Sequence, residues 1–264
     1  MRVAAIADIH SNSLALEAVL EDIAQQAVDQ IVQLGDAFNG PIDPRGVAEI
    51  IRSMPMIHIR GNGERMVLSS DPRERSRSAD YARDILDPAT LDWVRGWPRS
   101  FSCSDYFAFH ATPTNDSDYL VESLVPGGWT LRTRRQIASH LVGVSSPLVL
   151  CGHTHVPQFV RIDEQRAIVN PGSVGLPAYA DTQPIRHSMQ AGSPEARYAI
   201  VDVHGSKLSV AHRSVPYDHR RAAQMAMDAG FADWVPALMS GYAEEAEPGA
   251  TDNPDGAQRL REDY

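Results

Sequence analysis

The chain has 264 residues, 43% of them hydrophobic, a formal net charge of −10 and only two cysteines. That length supports one large buried core, and the acidity argues against non-specific binding along a nucleic-acid backbone. No apolar run approaches the roughly 20 residues that span a bilayer, and the first apolar run meets Asp8 too early for a secretory signal, so a cytoplasmic protein with no membrane contact is expected.

In chain order, short apolar runs rich in β-branched and aromatic residues each stop at a polar motif. The first covers 2–7 and stops at Asp8-Ile9-His10. A helix is expected over 13–27, with Asn12 or Ser13 as its N-cap. The strand over 30–34 stops at Gly35-Asp36, and a helix over 44–53 begins with Pro44 at its first position. The strand over 56–60 stops at Gly61-Asn62. Those over 106–109 and 148–151 stop at His110 and at Gly152-His153-Thr154-His155. Alternating strands and helices are the mark of parallel β-α-β units. Ligands of such sheets gather beyond the carboxyl ends of the strands, where all five motifs lie.

The second half reads as more β-rich. Hairpins are expected over 158–170, turning at Glu164-Gln165, and over 198–213, turning at Gly205. Between them Pro171-Gly172-Ser173-Val174-Gly175 reads as a tight structural turn near the site, since it lacks the Lys of a P-loop. The stretch 178–196 reads as a loop able to fold over the site. Helices over 218–229 and 231–240 close a domain of residues 1–242. Residues 243–264, acidic and poor in apolar groups, are expected to form a disordered tail. Cys103 and Cys151 lie in strand-like runs and read as buried free thiols of a reducing compartment.

Together the motifs supply two carboxylates (Asp8 and Asp36), the amide oxygen of Asn62, and four imidazoles (His10, His110, His153 and His155). That inventory can hold two divalent ions with one carboxylate bridging. Mixed oxygen and imidazole donors without thiolate suit Mn2+ first, with Fe2+, Zn2+, Ni2+, Co2+ or Mg2+ as alternatives. His58 reads as a sheet-face residue, and Trp93 and Trp97 as core anchors. The arginines of 65–83 read as a solvated helix face, with a phosphate clamp as the alternative. His140, His204, His212 and His219 read as exposed or structural. His187, in the expected loop, is a candidate proton donor.

The ordered motifs resemble those of the calcineurin-like metallophosphoesterases. Asp8-Ile9-His10-Ser11-Asn12, Asn170-Pro171-Gly172-Ser173-Val174-Gly175 and Val215-Pro216-Tyr217-Asp218 resemble the small predicted phosphodiesterases of bacteria and archaea. The resemblance implies an α/β fold, a two-sheet β-sandwich flanked by helices in four α/β/β/α layers. It implies one ion on Asp8, His10, Asp36 and His155, and a second on Asp36, Asn62, His110 and His153. Where many relatives carry Gly-Asn-His followed by an acid, this chain has Gly61-Asn62-Gly63-Glu64. It lacks the histidine that protonates the leaving group, and Glu64 lacks the partner it would orient. Either this branch dispenses with that histidine, or the substrate differs, or catalysis is lost.

The expected function is a dinuclear metal-dependent phosphodiesterase acting on a small nucleotide-like substrate by metal-bound hydroxide attack. Asp36 would bridge, while Asn62 and Arg60 would add charge stabilisation. Without a proton donor at position 63, good leaving groups are favoured, so a dinucleoside polyphosphate (phosphoanhydride) hydrolase is the alternative. A non-catalytic protein-binding scaffold, as in the retromer subunit of this fold, is the alternative of another class. The sequence leaves oligomeric state open.

Overall fold

The computed structural model describes residues 1–205 and 207–243; the expected tail lies, apart from Ala243, outside them. The strands are β1 (Arg2–Ile6), β2 (Gln30–Gln33), β3 (Ile57–His58), β4 (Ser100–Ser102), β5 (Tyr106–Phe109), β6 (Glu122–Val125) and β7 (Gly128–Leu131), followed by β8 (Leu148–Leu150), β9 (Gln158–Arg161), β10 (Ala167–Asn170), β11 (Ala178–Asp181), β12 (His187–Gln190), β13 (Ala196–His204) and β14 (Lys207–Val215). The helices are α1 (Ser13–Ala24), α2 (Pro44–Arg52), α3 (Asn62–Leu68), α4 (Arg77–Ile85), α5 (Pro88–Arg95), α6 (Arg134–His140), α7 (His219–Asp228) and α8 (Val235–Ser240).

Two five-stranded sheets share one plan. In the first, ordered β14-β13-β1-β2-β3, parallel strands β1, β2 and β3 are extended by antiparallel β13 and β14. In the second, ordered β4-β5-β8-β10-β9, parallel β5, β8 and β10 are flanked by antiparallel β4 and β9. Alternation along β1 places its faces. Val3, Ala5 and Ala7 enter a core shared with Tyr106, Ala108, Leu148 and Leu150 of the second sheet. Ala4 and Ile6 pack against Leu16, Val19 and Ile23 of α1. Beyond the second sheet, Ile137 and Leu141 from α6 and its C-cap cover Phe109, Val149 and Ile168. The molecule is thus a helix-flanked two-sheet α/β fold, with a fuller helical layer on the first sheet.

Helix starts follow their caps. Asn12 Oδ1 accepts the Ala15 N–H at 3.1 Å, and Asp43 Oδ1 accepts the Gly46 N–H at 2.9 Å ahead of Pro44. The expected final helix is divided. A 3-10 turn over Ala232–Trp234 precedes α8, because Pro236 has no N–H to continue a longer helix. The stretch 178–196 is not a loop. It contains the antiparallel pair β11 and β12, with Tyr179 opposite Met189 and Asp181 opposite His187. Met189 is fully buried against Tyr119 and Val156, so packing overrides the polar Ser188 and Gln190 that made the stretch look loop-like. Cys151 is buried, whereas Cys103, just beyond β4, is half-buried. Among the described residues no helix is long and apolar enough to cross a membrane.

Candidate metal centre

The parallel strands of both sheets end at one place. Asp8 and His10 follow β1, Asp36 follows β2, Asn62 opens α3 after β3, His110 follows β5, and His153 and His155 follow β8. All seven are buried. The loops that carry them are stitched together. Asp8 N–H donates to Gly35 O at 3.0 Å, His10 N–H to Asp36 O at 2.9 Å and Gly152 N–H to His110 O at 2.7 Å. The 171–175 turn lies beneath Asp8, whose carbonyl accepts Ser173 Oγ at 2.8 Å and Gly175 N–H at 3.0 Å. Asp8, His10, Asp36, His153 and His155 all have left-handed backbones, with φ between 46° and 72°. This conformation is uncommon for residues other than glycine and clusters at functional sites.

Each imidazole is fixed by a backbone carbonyl. His10 Nδ1 meets Asn39 O at 2.6 Å, His110 Nδ1 meets Leu34 O at 2.8 Å, and His155 Nδ1 meets Leu176 O at 2.7 Å. His153 is reversed, with Nε2 on Ser117 O at 2.9 Å. A carbonyl only accepts, so the nitrogen facing it carries the proton. The other nitrogen of each neutral ring then presents a lone pair. Consequently His10 Nε2 and His155 Nε2, 3.0 Å apart, point lone pairs at each other. Asp8 Oδ1, 3.6 Å from His155 Nε2, is buried and has no hydrogen-bond partner among the described residues. The terminal amide atom of Asn62 facing the cluster lies 2.9 Å from His110 Nε2, 3.2 Å from His153 Nδ1 and 3.3 Å from Asp36 Oδ2. At His10, His155 and Asp8, acceptors converging on acceptors fit a cation. Asp8, His10 and His155 form one group that could hold a metal ion; Asp8, Asp36 and His110 form another.

The electrostatics agree. Burial, with the charge of Asp36 added, holds the Asp8 carboxyl well above its usual range. Burial also pushes His10, His110 and His155 down, so the rings offer lone pairs rather than protons. Glu64, raised to about 7 by burial and by Asp36, has a role no motif announces. Its carboxylate accepts the backbone N–H groups of Gly61, Asp36, Ala37 and Phe38 at 2.6–3.2 Å. It ties the Asp36 loop to the start of α3.

Position 63 is closed to a side chain. The Gly63 N–H donates to Asp36 Oδ1 at 2.7 Å. A Cβ there would lie 2.7 Å from Asn39 Cβ and 2.8 Å from Asp36 Oδ1. The constraint is close approach rather than positive φ.

Among the described residues, no hydrogen bond, ion pair or ring contact links the Arg60 side chain to the seven. Arg65 pairs with Asp116, Arg73 with Asp71, Arg75 with Asp80 and Arg77 with Asp233, while Arg83 caps the Val67 and Ser69 carbonyls. These arginines lie on α3, the 3-10 turn over Pro72–Glu74, its C-cap and α4 rather than on one helix face, each engaged with an acid or a carbonyl. His58 stacks on Trp97 at 4.6 Å beside Trp93, as a sheet-face residue. His187 is buried in β12 with Nε2 on the Tyr119 hydroxyl at 2.9 Å, one side chain removed from His153. The carbonyl anchors of the histidines had no sequence signal, because every residue has a carbonyl.

Residues 1–203 match the model of the calcineurin-like phosphoesterase superfamily domain. The chain belongs to that superfamily. Its members use divalent metals, in keeping with the Asp and His clusters described. The chain is similar to a metallophosphoesterase of Sphaerobacter thermophilus, with TM-score 0.72 and 27% identity over 91% of this chain and 99% of that one. A hypothetical protein of Pyrococcus horikoshii shares the fold, with TM-score 0.72 and 20% identity over 92% and 99% of the two chains. An uncharacterized protein of Methanocaldococcus jannaschii is 23% identical over 259 residues, spanning 88% of this chain and 95% of that one.

Proposed function

We propose that this phosphoesterase-family chain is a dinuclear metal-dependent phosphodiesterase of the cytoplasm, acting on a small nucleotide-like substrate, with Mn2+ as its preferred metal. The observation that carries this reading is the pair of imidazole lone pairs 3.0 Å apart at His10 and His155, beside the unpartnered Asp8 oxygen. Asp8, His10, Asp36 and His155 would hold one ion, and Asp36, Asn62, His110 and His153 the other. Such ions supply Lewis-acid charge for phosphoryl oxygens and acidify a water nucleophile. Asp36 is suited to the shared position: Oδ2 lies 4.0 Å from His10 Nε2 and Oδ1 3.5 Å from His110 Nε2. The Gly63 N–H and the Glu64 clamp keep that carboxylate oriented before substrate arrives. The carbonyl-locked histidines hold their tautomers.

The crowding at Gly63 supports a preference for good leaving groups, because that position can present no proton donor. Donation of a proton is worth typically about 10²- to 10⁴-fold for poor leaving groups. The same observation favours one second reading, a phosphoanhydride hydrolase, since phosphate departs with a pKa of about 6. The test is hydrolysis of substituted aryl phosphodiesters by Mn2+-reconstituted protein, beside dinucleoside polyphosphates. Rates that rise steeply as the leaving-group pKa falls are expected. No turnover of either class at full metal occupancy would sink the proposal and leave the scaffold reading.

A further inference from the structure

Two aromatic rings stand against the histidines on the Asp8 side of the cluster, and neither belongs to a metal-binding motif. Trp234 meets the His10 ring edge-on at 6.0 Å, and Tyr179 meets the His155 ring edge-on at 4.7 Å. Both are half-buried, unlike Phe231, which is buried in the same apolar cluster. Among the described residues the Trp234 indole N–H has no acceptor and is not a buried unpaired atom. We infer that Trp234 and Tyr179 form a preorganised aromatic wall that takes the base of a nucleotide substrate whose phosphate lies at the cluster. This inference rests on the phosphodiesterase reading and narrows its substrate to one carrying a planar group.

Both rings are held in place from behind. The Trp234 backbone N–H donates to Phe231 O at 3.1 Å, and the Trp234 and Phe231 rings meet edge-on at 6.5 Å. Arg77 lies over the Phe231 ring and pairs with Asp233, next to Trp234. The Tyr179 hydroxyl is 2.8 Å from that of Tyr119, which in turn meets His187 Nε2 at 2.9 Å. Rigid aromatic surface is the cheapest way to bind a base, since little rotamer freedom is lost. Stacking tolerates any base because each has a π-face. Trp234 also lies beyond residues 1–203, the part matched by the family model. Base recognition would thereby come from β11 and the 3-10 turn before α8 rather than from the metal motifs.

The test is calorimetric binding of AMP and of ribose 5-phosphate to the full Mn2+-loaded chain, which needs no turnover. The two ligands share the phosphate and sugar and differ in the base. The wild type is expected to bind AMP roughly 10- to 100-fold more tightly, within the range of base–aromatic stacking. Trp234→Ala should remove most of that preference while leaving the ribose 5-phosphate affinity and the metal content unchanged. Trp234→Phe, which preserves packing on Phe231, should retain part of it and serves if the alanine variant does not fold. Equal binding of the two ligands by the wild type would overturn the inference. So would a preference that survives Trp234→Ala, or a parallel loss of affinity for both ligands, which would mark Trp234 as structural. Failure of the phosphodiesterase reading would appear separately, as absent hydrolysis with base preference intact.

Discussion

At Asp36, Oδ1 lies 3.5 Å from His110 Nε2 while Oδ2 lies 4.0 Å from His10 Nε2, so loss of the charge reaches both halves of the cluster. The Asn62 amide lies nearest His110 Nε2 and His153 Nδ1, at 2.9 and 3.2 Å. Asp36→Asn is therefore expected to lower metal content per chain more than Asn62→Ala, as measured by elemental analysis after gel filtration. Asparagine tolerates the φ of 57° at this position, so the comparison tests charge rather than backbone. Two ions retained at wild-type affinity in Asp36→Asn would refute the shared position. At Gly63 even a methyl group would press on Asn39 Cβ and the Asp36 carboxylate. Overpacking of this kind costs roughly 1–3 kcal/mol. Gly63→Ala should thus lower both the melting temperature and metal content, read by calorimetry and metal analysis. A variant indistinguishable from the wild type would show that the loop yields. Restoring a histidine there should disturb the centre before it can donate a proton.

Strand β3 and helix α5 meet through an aromatic stack in which His58 lies parallel to Trp97 at 4.6 Å and edge-on to Trp93. Burial lowers the His58 pKa from 6.5 to about 4. The unfolded chain therefore binds a proton that the folded chain refuses between those values. Stability attributable to His58 falls as pH drops from 6.5 towards 4, by an upper bound of about 3 kcal/mol. His58→Phe should flatten that part of the pH–stability curve relative to wild type, as followed by urea unfolding. Identical slopes would show that the ring is protonated in place. The strands ending at motifs were legible because β-branched runs stop at Gly, Asp or His, and α1 and α2 because Asn12 or Ser13 and Pro44 punctuate them. The pair β11 and β12 was not, because its pattern is mixed and Met189 becomes a core residue only when Tyr119 and Val156 surround it. The seven candidate donors were legible as side chains of the right type at strand ends. Their carbonyl anchors, the Glu64 clamp and the Trp234 contact depend on chain crossings that no local pattern encodes.

Across the whole molecule, the cluster is one place where the two sheets bring polar groups together. Asp8, His10, Asp36 and Asn62 come from the first sheet and its connections, while His110, His153 and His155 come from the second. Ions bound among them would tie the sheets together and would be released on unfolding. Their free energy would then appear as stability, about 4 kcal/mol at free metal a thousandfold above Kd. Chelation should lower the melting temperature and added Mn2+ should raise it in a concentration-dependent manner, both read by scanning calorimetry. The increment should shrink in Asp36→Asn. A melting temperature indifferent to metal would argue against an ion spanning the sheets.

The left-handed backbones at Asp8, His10, Asp36, His153 and His155 set function against durability. Each non-glycine residue in that region costs roughly 1–2 kcal/mol, and glycine at any of them would be conformationally easier but would bind nothing. Alanine ordinarily stabilises a chain over glycine, because it restricts the unfolded state. At position 10, where φ is 46°, that order should invert: metal-free His10→Gly should outlast His10→Ala by about 1 kcal/mol in urea unfolding, and the usual order would show the backbone to be relaxed. The fold forgoes robustness at the points where it collects its donors. A lineage released from the need for metal would drift towards glycine there first, gaining stability as it lost its chemistry.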